Sequence, residues 1–114
     1  MIKKPKSIYR TTLDQVDNGK IPHAGIYVIA YLGKVMYIGK AERSVEDRIN
    51  THCRQFTPIG LWLKQAEFDW SNIRVDILEV PDYENRYWLQ QAEAALVRKF
   101  NPVFNEQLQK HESL

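Results

Sequence analysis

Residues 25–52, GIYVIAYLGKVMYIGKAERSVEDRINTH, constrain the fold of this 114-residue chain more than any other stretch. Residues 25–31 are rich in β-branched and aromatic side chains, and 35–38 return to that character after Leu32-Gly33-Lys34. Such a pattern predicts an antiparallel hairpin. Ser44, followed three residues later by Asp47, resembles a helix-capping box. The helix expected from 45 to about 56 carries Arg48 and His52 on one face at i, i+4. With a three-residue loop, Tyr27 faces Gly39, and Tyr37 lies diagonal to Tyr27 on the same face of the hairpin. A two-residue loop puts the two rings on opposite faces, so a shared site needs the longer loop or a bulge.

The flanking sequence completes one small domain. Residues 1–24 read as a polar lead-in, with a short helix or irregular turn over 11–17 and a turn at 17–20. Pro58 opens an apolar segment, 59–66, expected as a short core helix. IRVDILEV over 73–80 alternates as a half-buried strand does. The longest helix is expected over 83–100, with Tyr87, Trp88, Ala92, Ala95, Leu96 and Phe100 as its apolar stripe. Asn101-Pro102 stops it, and 103–105 reads as an edge strand or a segment crossing the sheet. Trp62, Trp88 and Phe104 are core candidates. The expected architecture is α/β: a mixed central sheet of about three strands, begun by the hairpin and flanked by helices. Residues 25–105 form the domain and 106–114 a polar tail.

Composition narrows the class. Apolar residues make up 44%, which fits a globular chain. No window approaches the roughly 18 apolar residues of a membrane span, and the N-terminus lacks a signal-peptide core, so a cytoplasmic protein is expected. Cys53 is the single cysteine, which excludes a disulfide framework and a cysteine-rich zinc site and leaves it a packing role. The net charge of +2 does not by itself argue for nucleic acid. Its distribution says more: Lys3, Lys4, Lys6 and Arg10 stand in an acid-free lead, and Lys40, Arg43, Arg48 and Arg54 flank the hairpin and helix. Both clusters give weak support for a polyanionic partner.

Four motifs in order carry a family resemblance. Gly25-Ile26-Tyr27 and Tyr37-Ile38-Gly39 are separated, tyrosine to tyrosine, by residues 28–36, and Lys40 follows the second triplet. Arg48-Ile49-Asn50-Thr51-His52 forms the third motif, and Glu93 with Asn101-Pro102 and Asn105 the fourth. Together they resemble the GIY-YIG endonuclease superfamily from about residue 25 to 105. The resemblance implies a metal-dependent endonuclease that leaves 5′-phosphate and 3′-hydroxyl ends on DNA. It assigns Tyr27 to water activation, Tyr37 to the phosphate or the water, and Arg48 and His52 to the arginine helix. Glu93 is implied as the ligand of one Mg²⁺ or Mn²⁺, Asn105 as a support behind the metal or phosphate, and Lys40, Arg43 and Gly39 as substrate contacts.

The residue chemistry agrees. Phosphodiester hydrolysis needs an activated water, neutralisation of charge on phosphorus, and help for the leaving oxygen. A glutamate suits Mg²⁺, which keeps several waters and takes phosphate oxygens. Arg48 stays protonated and can fork onto two oxygens. A tyrosine with an ordinary pKa near 10 is an unusual base, unless nearby cations lower that value or His52 takes its proton. Taken singly, each residue has an ordinary reading: sheet aromatics for the tyrosines, solvated surface for Arg48 and Glu93, a turn for Asn105. The alternative function is a nucleic-acid-binding or regulatory module of this fold without catalysis. A homodimer or a partner protein is compatible with either.

Overall fold

The hairpin turns on two residues, not three. Leu32 and Gly33 both have positive φ, 53° and 78°, as a two-residue hairpin turn of the primed type requires. Strands β2 (Gly25–Tyr31) and β3 (Lys34–Ala41) begin their pairing with Tyr31 opposite Lys34 and Ala30 opposite Val35. A bulge then intervenes: Ile29 faces Tyr37, Met36 being the extra residue. It restores Tyr27 to a place opposite Gly39 and puts both tyrosines on one face. The expected pairing holds near the motifs, through the bulge rather than through the longer loop.

The structure, a computed structural model, describes residues 3–18, 24–81 and 86–105. Its sheet has four strands, with β1 (Ile8–Thr12) and β4 (Ile73–Glu79) beside the hairpin in the order β1-β4-β2-β3, every neighbouring pair antiparallel. The expected mixed sheet of about three strands is corrected on both counts. The added strand, β1 (Ile8–Thr12), comes from the stretch read as a polar lead-in, and its edge position explains why it is mostly polar. It pairs with β4 (Ile73–Glu79), and a 3₁₀ turn over Leu13–Asn18 then sends Leu13 and Val16 into the core.

Two apolar layers sandwich the sheet. On one face Tyr27, Ile29, Tyr37, Val75 and Ile77 pack with Val45 and Ile49 of α1 (Val45–Arg54) and with Ile59 and Leu63 of α2 (Pro58–Gln65). Cys53 packs against this cluster, as do Trp62 and Phe104. On the other face Ile26, Val28 and Ile38 meet Trp88, Leu89 and Ala92 of α3 (Arg86–Phe100). Strand β2 is buried on both faces, which accounts for its unbroken apolar run. Helix α1 starts where its cap places it, with Ser44 accepting from the Asp47 amide at 3.2 Å, and stops two residues earlier than expected. The stripe of α3 differs in detail: Tyr87 and Phe100 are exposed and Leu89 is buried. Residues 103–105 make a helical turn, not a strand. The expected first turn of α3 at 83–85 and the tail at 106–114 lie outside the described residues.

One end of the sheet gathers the motifs. Gly25 lies between Glu79 and Ala41, and Ser7 extends the row by accepting from the Glu79 amide at 2.9 Å. Gly25 approaches β4 so closely that a Cβ there would sit 2.3 Å from the Leu78 carbonyl oxygen. The order of the layers gives a stability test. Ile29→Ala, at a fully buried position on the central strand, is expected to lower stability by about 2–5 kcal/mol in urea denaturation. Phe68→Ala, at an exposed position, is expected to stay within about 0.5 kcal/mol of the parent.

Candidate active site

Three elements meet at the Tyr27 phenol. The ring leaves β2, crosses Gly39 on β3, and ends at α1, where Tyr27 Oη and His52 Nε2 are 2.8 Å apart. A Cβ on Gly39 would lie 2.3 Å from both Cζ and Oη of Tyr27. The glycine of the second triplet is thus the seat of the tyrosine of the first, and offers a substrate no side chain. Tyr37 completes the cluster, its ring centroid 6.1 Å from Tyr27 and 5.1 Å from His52, edge-on to the imidazole. Tyr27 is wholly buried and His52 nearly so.

Burial sets the charge states. The Tyr27 hydroxyl is pushed far above its ordinary value, first by burial and then by the neighbouring Tyr37; the Arg48 charge and hydrogen bond oppose the shift. His52 is held down to about 4, by burial and then by Arg48. Both groups are therefore neutral near pH 7. The expectation that cations lower the Tyr27 pKa is corrected: burial outweighs Arg48.

In front of this pair lies a pocket of about 490 Å³ lined by Tyr37, Lys40, Glu42, Arg43, Ser44, Asp47, Arg48, Thr51 and Glu93. Five of the expected residues, Tyr37, Lys40, Arg43, Arg48 and Glu93, thus share one cavity. Tyr27 and His52 stand behind it and are not part of its lining. Asn105 is elsewhere: its side-chain oxygen accepts from the Ile38 amide and its nitrogen donates to the Ile38 carbonyl, both at 2.8 Å. It grips the backbone of the second triplet instead of facing the cavity. Glu42, Ser44, Asp47 and Thr51 were not singled out from sequence. Thr51 had a signal, one turn beyond Arg48 on the same helix; Ser44 and Asp47 were accounted for as the cap.

Glu93 is half-buried at the pocket wall. Burial raises its pKa, while the Lys40 and Arg48 charges pull it down. Among the described residues no three His, Cys, Asp or Glu side chains cluster as a ready cation cage. Glu93 is one carboxylate on an open cavity whose lining also carries Glu42 and Asp47. That fits a divalent ion such as Mg²⁺, which takes the rest of its shell from water and phosphate.

No protein-family model and no curated protein sequence matches the chain. Solved structures do match. Three point-mutant forms of the N-terminal GIY-YIG endonuclease domain of UvrC from Thermotoga maritima, bound to its catalytic divalent cation, are similar to it. Each aligns at a TM-score of 0.53 and 20–21% identity, over 72% of this chain and 81% of that one. The chain has the GIY-YIG nuclease fold.

Two outcomes test the buried cluster. Gly39→Ala is expected to displace the Tyr27 ring and lower stability by about 1–3 kcal/mol, as overpacking does, read from a thermal or urea transition. Because His52 titrates lower when folded than when unfolded, the native state loses stability as pH falls from about 6.5 toward 4, by up to about 3 kcal/mol. His52→Gln is expected to flatten the stability profile in that window.

Proposed function

We propose that this chain is a GIY-YIG endonuclease, a metal-dependent hydrolase that cuts DNA phosphodiester bonds to leave 5′-phosphate and 3′-hydroxyl ends. The observation that carries this reading is the single pocket in which Tyr37, Lys40, Arg43, Arg48 and Glu93 converge in front of the buried Tyr27–His52 pair. That arrangement supplies three cations, a carboxylate and a phenol within one cavity, the parts a phosphodiesterase needs.

The arginine is the electrostatic group. Arg48 projects from α1 into the cavity and can fork onto two phosphate oxygens, where it opposes the charge that builds on phosphorus. Its charge also lies near enough to the buried Tyr27 phenol to oppose the rise in that group's pKa, so the two side chains are neighbours. Lys40 and Arg43 bracket the end of β3 and receive the flanking phosphates. Glu93 would hold one Mg²⁺ or Mn²⁺. Bound there, the ion supplies Lewis-acid charge to the phosphate and the leaving 3′-oxygen.

The tyrosines divide the remaining work by depth. Tyr37 borders the pocket and is the phenol that orients the attacking water. Tyr27 has no exposed surface, so it acts through Arg48 and His52 rather than on the water. This takes from Tyr27 the water-activating role that the motif resemblance assigns to it and keeps for Tyr37 the water-positioning one. Asn105 acts at one remove, by fixing the backbone of Ile38, next to Tyr37.

The test is cleavage of supercoiled plasmid and of labelled duplex, single-stranded and branched oligonucleotides, with Mg²⁺, with Mn²⁺ and with chelator. Metal-dependent cutting is expected from the parent protein. Glu93→Ala is expected to abolish it with DNA binding retained, and Arg48→Ala to lower kcat by about 10²–10³. Tyr37→Phe is expected to cost about 10²–10⁴, more than Tyr27→Phe. DNA binding by the intact protein with no metal-dependent cutting of any substrate overturns the enzyme and favours the binding module.

A further inference from the structure

Charge is balanced on the wall of the pocket. Lys40, Arg43 and Arg48 share it with Glu42, Asp47 and Glu93. A cube of 490 Å³ has an edge of about 8 Å, no longer than the Debye length at physiological salt, so each of these charges acts on any anion inside. Three cations against three carboxylates leave no net attraction for a phosphate. Each carboxylate needs a counter-charge of its own.

Two of them have one at hand. Asp47 sits in the first turn of α1, where the helix N-terminus offsets a negative charge. Glu93 lies in the field of Lys40 and Arg48 and is the residue placed to take the divalent ion. Glu42 has neither advantage. It follows the last residue of β3 and precedes the cap of α1, and its carboxylate meets Arg86 Nε at 3.1 Å. Arg86 opens α3 and is not itself part of the pocket lining. Glu93 comes seven residues later on that helix, so two turns bring the pair to one side of it, about 10 Å apart along the axis. One helix thus gives Glu42 its counter-charge and the cavity its carboxylate.

We infer that Arg86 is a positioning residue for phosphate binding: it holds the Glu42 carboxylate toward α3 and cancels its charge, which leaves Lys40, Arg43 and Arg48 to the DNA backbone. The inference rests on the nuclease reading of the pocket and adds to it a residue outside the four motifs. Released from Arg86, Glu42 has Arg43 beside it and Lys40 two residues back, at most about 7 Å away between Cα atoms. The carboxylate then competes with phosphate for those cations and repels it. Arg86 acts through Glu42 and not by touching DNA.

Both side chains are well exposed, 77% and 44%, so replacing them leaves the fold intact. The experiment is a double-mutant cycle on binding by the full chain, without divalent metal, to a labelled DNA of about 20 nucleotides, as a single strand and as a duplex, over a range of salt. The parent is compared with Arg86→Gln, Glu42→Gln, the double variant and the conservative Arg86→Lys. Arg86→Gln is expected to bind about three- to tenfold more weakly near about 0.05 M salt, the effect of one uncompensated like charge close to the phosphate. Glu42→Gln is expected to bind at least as tightly as the parent. With Glu42 already replaced, Arg86→Gln is expected to change affinity by less than about twofold, and Arg86→Lys to stay within about twofold of the parent. An Arg86 that only shaped the start of α3 gains no such rescue from Glu42→Gln, and its loss in both backgrounds overturns the inference. Removal of about 0.9 from the slope of log K against log salt in both backgrounds makes Arg86 a phosphate contact and overturns it as well. So does an Arg86→Gln variant that binds like the parent. If the parent binds and cuts DNA while the cycle shows no coupling, only this inference falls; if the parent neither binds nor cuts DNA, the nuclease reading falls with it.

Discussion

The contact on which the rest of the site depends is the 2.8 Å approach of Tyr27 Oη to His52 Nε2. It joins the central strand to the first helix through a ring that lies on the third strand at Gly39. Each partner constrains the others. The ring can cross β3 only where there is no Cβ, the helix can close only where the imidazole meets the phenol, and Arg48 then faces the pocket one turn before His52. The interaction is local in space but 25 residues long in sequence. It fixes the position of the arginine without lending that residue any buried charge of its own.

The remaining site residues are held by weaker means. Asn105 imitates a neighbouring strand, satisfying both the amide and the carbonyl of Ile38 on the outer edge of β3. A side chain thereby blunts an edge that would otherwise offer backbone pairing to another chain. The Arg86–Glu42 pair ties the pocket residue Glu42 to the start of α3, but both side chains are well exposed and such pairs contribute at most about 1 kcal/mol. Its effect is to set the direction of Glu42 and the start of α3, and only slightly to stabilise the domain. Glu93 projects from the same helix two turns further on. The stable parts of the site are therefore the aromatic cluster and the strand backbone, and the rim is held lightly.

Much of this was legible in the residues themselves. The hairpin announced itself through two β-rich runs around Leu32-Gly33, and α1 through Ser44 and Asp47, because both signals are local. Face parity alone required a longer loop or a bulge, yet the choice of a bulge and its place at Met36 depend on a register that no single residue encodes. Strand β1 was missed for a related reason. IYRTT has a charged residue at its centre, and what makes it a strand is a partner some 66 residues away, where Arg10 meets Asp76 at 2.9 Å and Arg74 closes on the same carboxylate. The site was legible as a set of residues and illegible as a set of depths. Sequence spacing put Tyr27 and Tyr37 on one face, but only the packing of α1 over the sheet seals the first behind the cavity and leaves the second, itself only 5 % exposed, in its lining.

Depth also decides where the protons are. Tyr27 has no exposed surface, its phenol stays protonated, and the neighbouring Arg48 has no acceptor to offer that proton. The phenol proton therefore points to His52 Nε2, which acts as acceptor. A neutral imidazole then carries its own proton on Nδ1, and that atom is buried with no hydrogen-bond partner among the described residues. The opposite tautomer strands the phenol proton as well as the Nδ1 lone pair, so it is the costlier of the two. An unpaired buried donor costs about 1–3 kcal/mol. Packing a second aromatic in place of His52 could avoid that cost but would leave the phenol without an acceptor and Arg48 without a fixed neighbour. The unpaired Nδ1 is the cost of that geometry, and what the pair secures is the seat of Tyr27 behind the pocket that Arg48 lines.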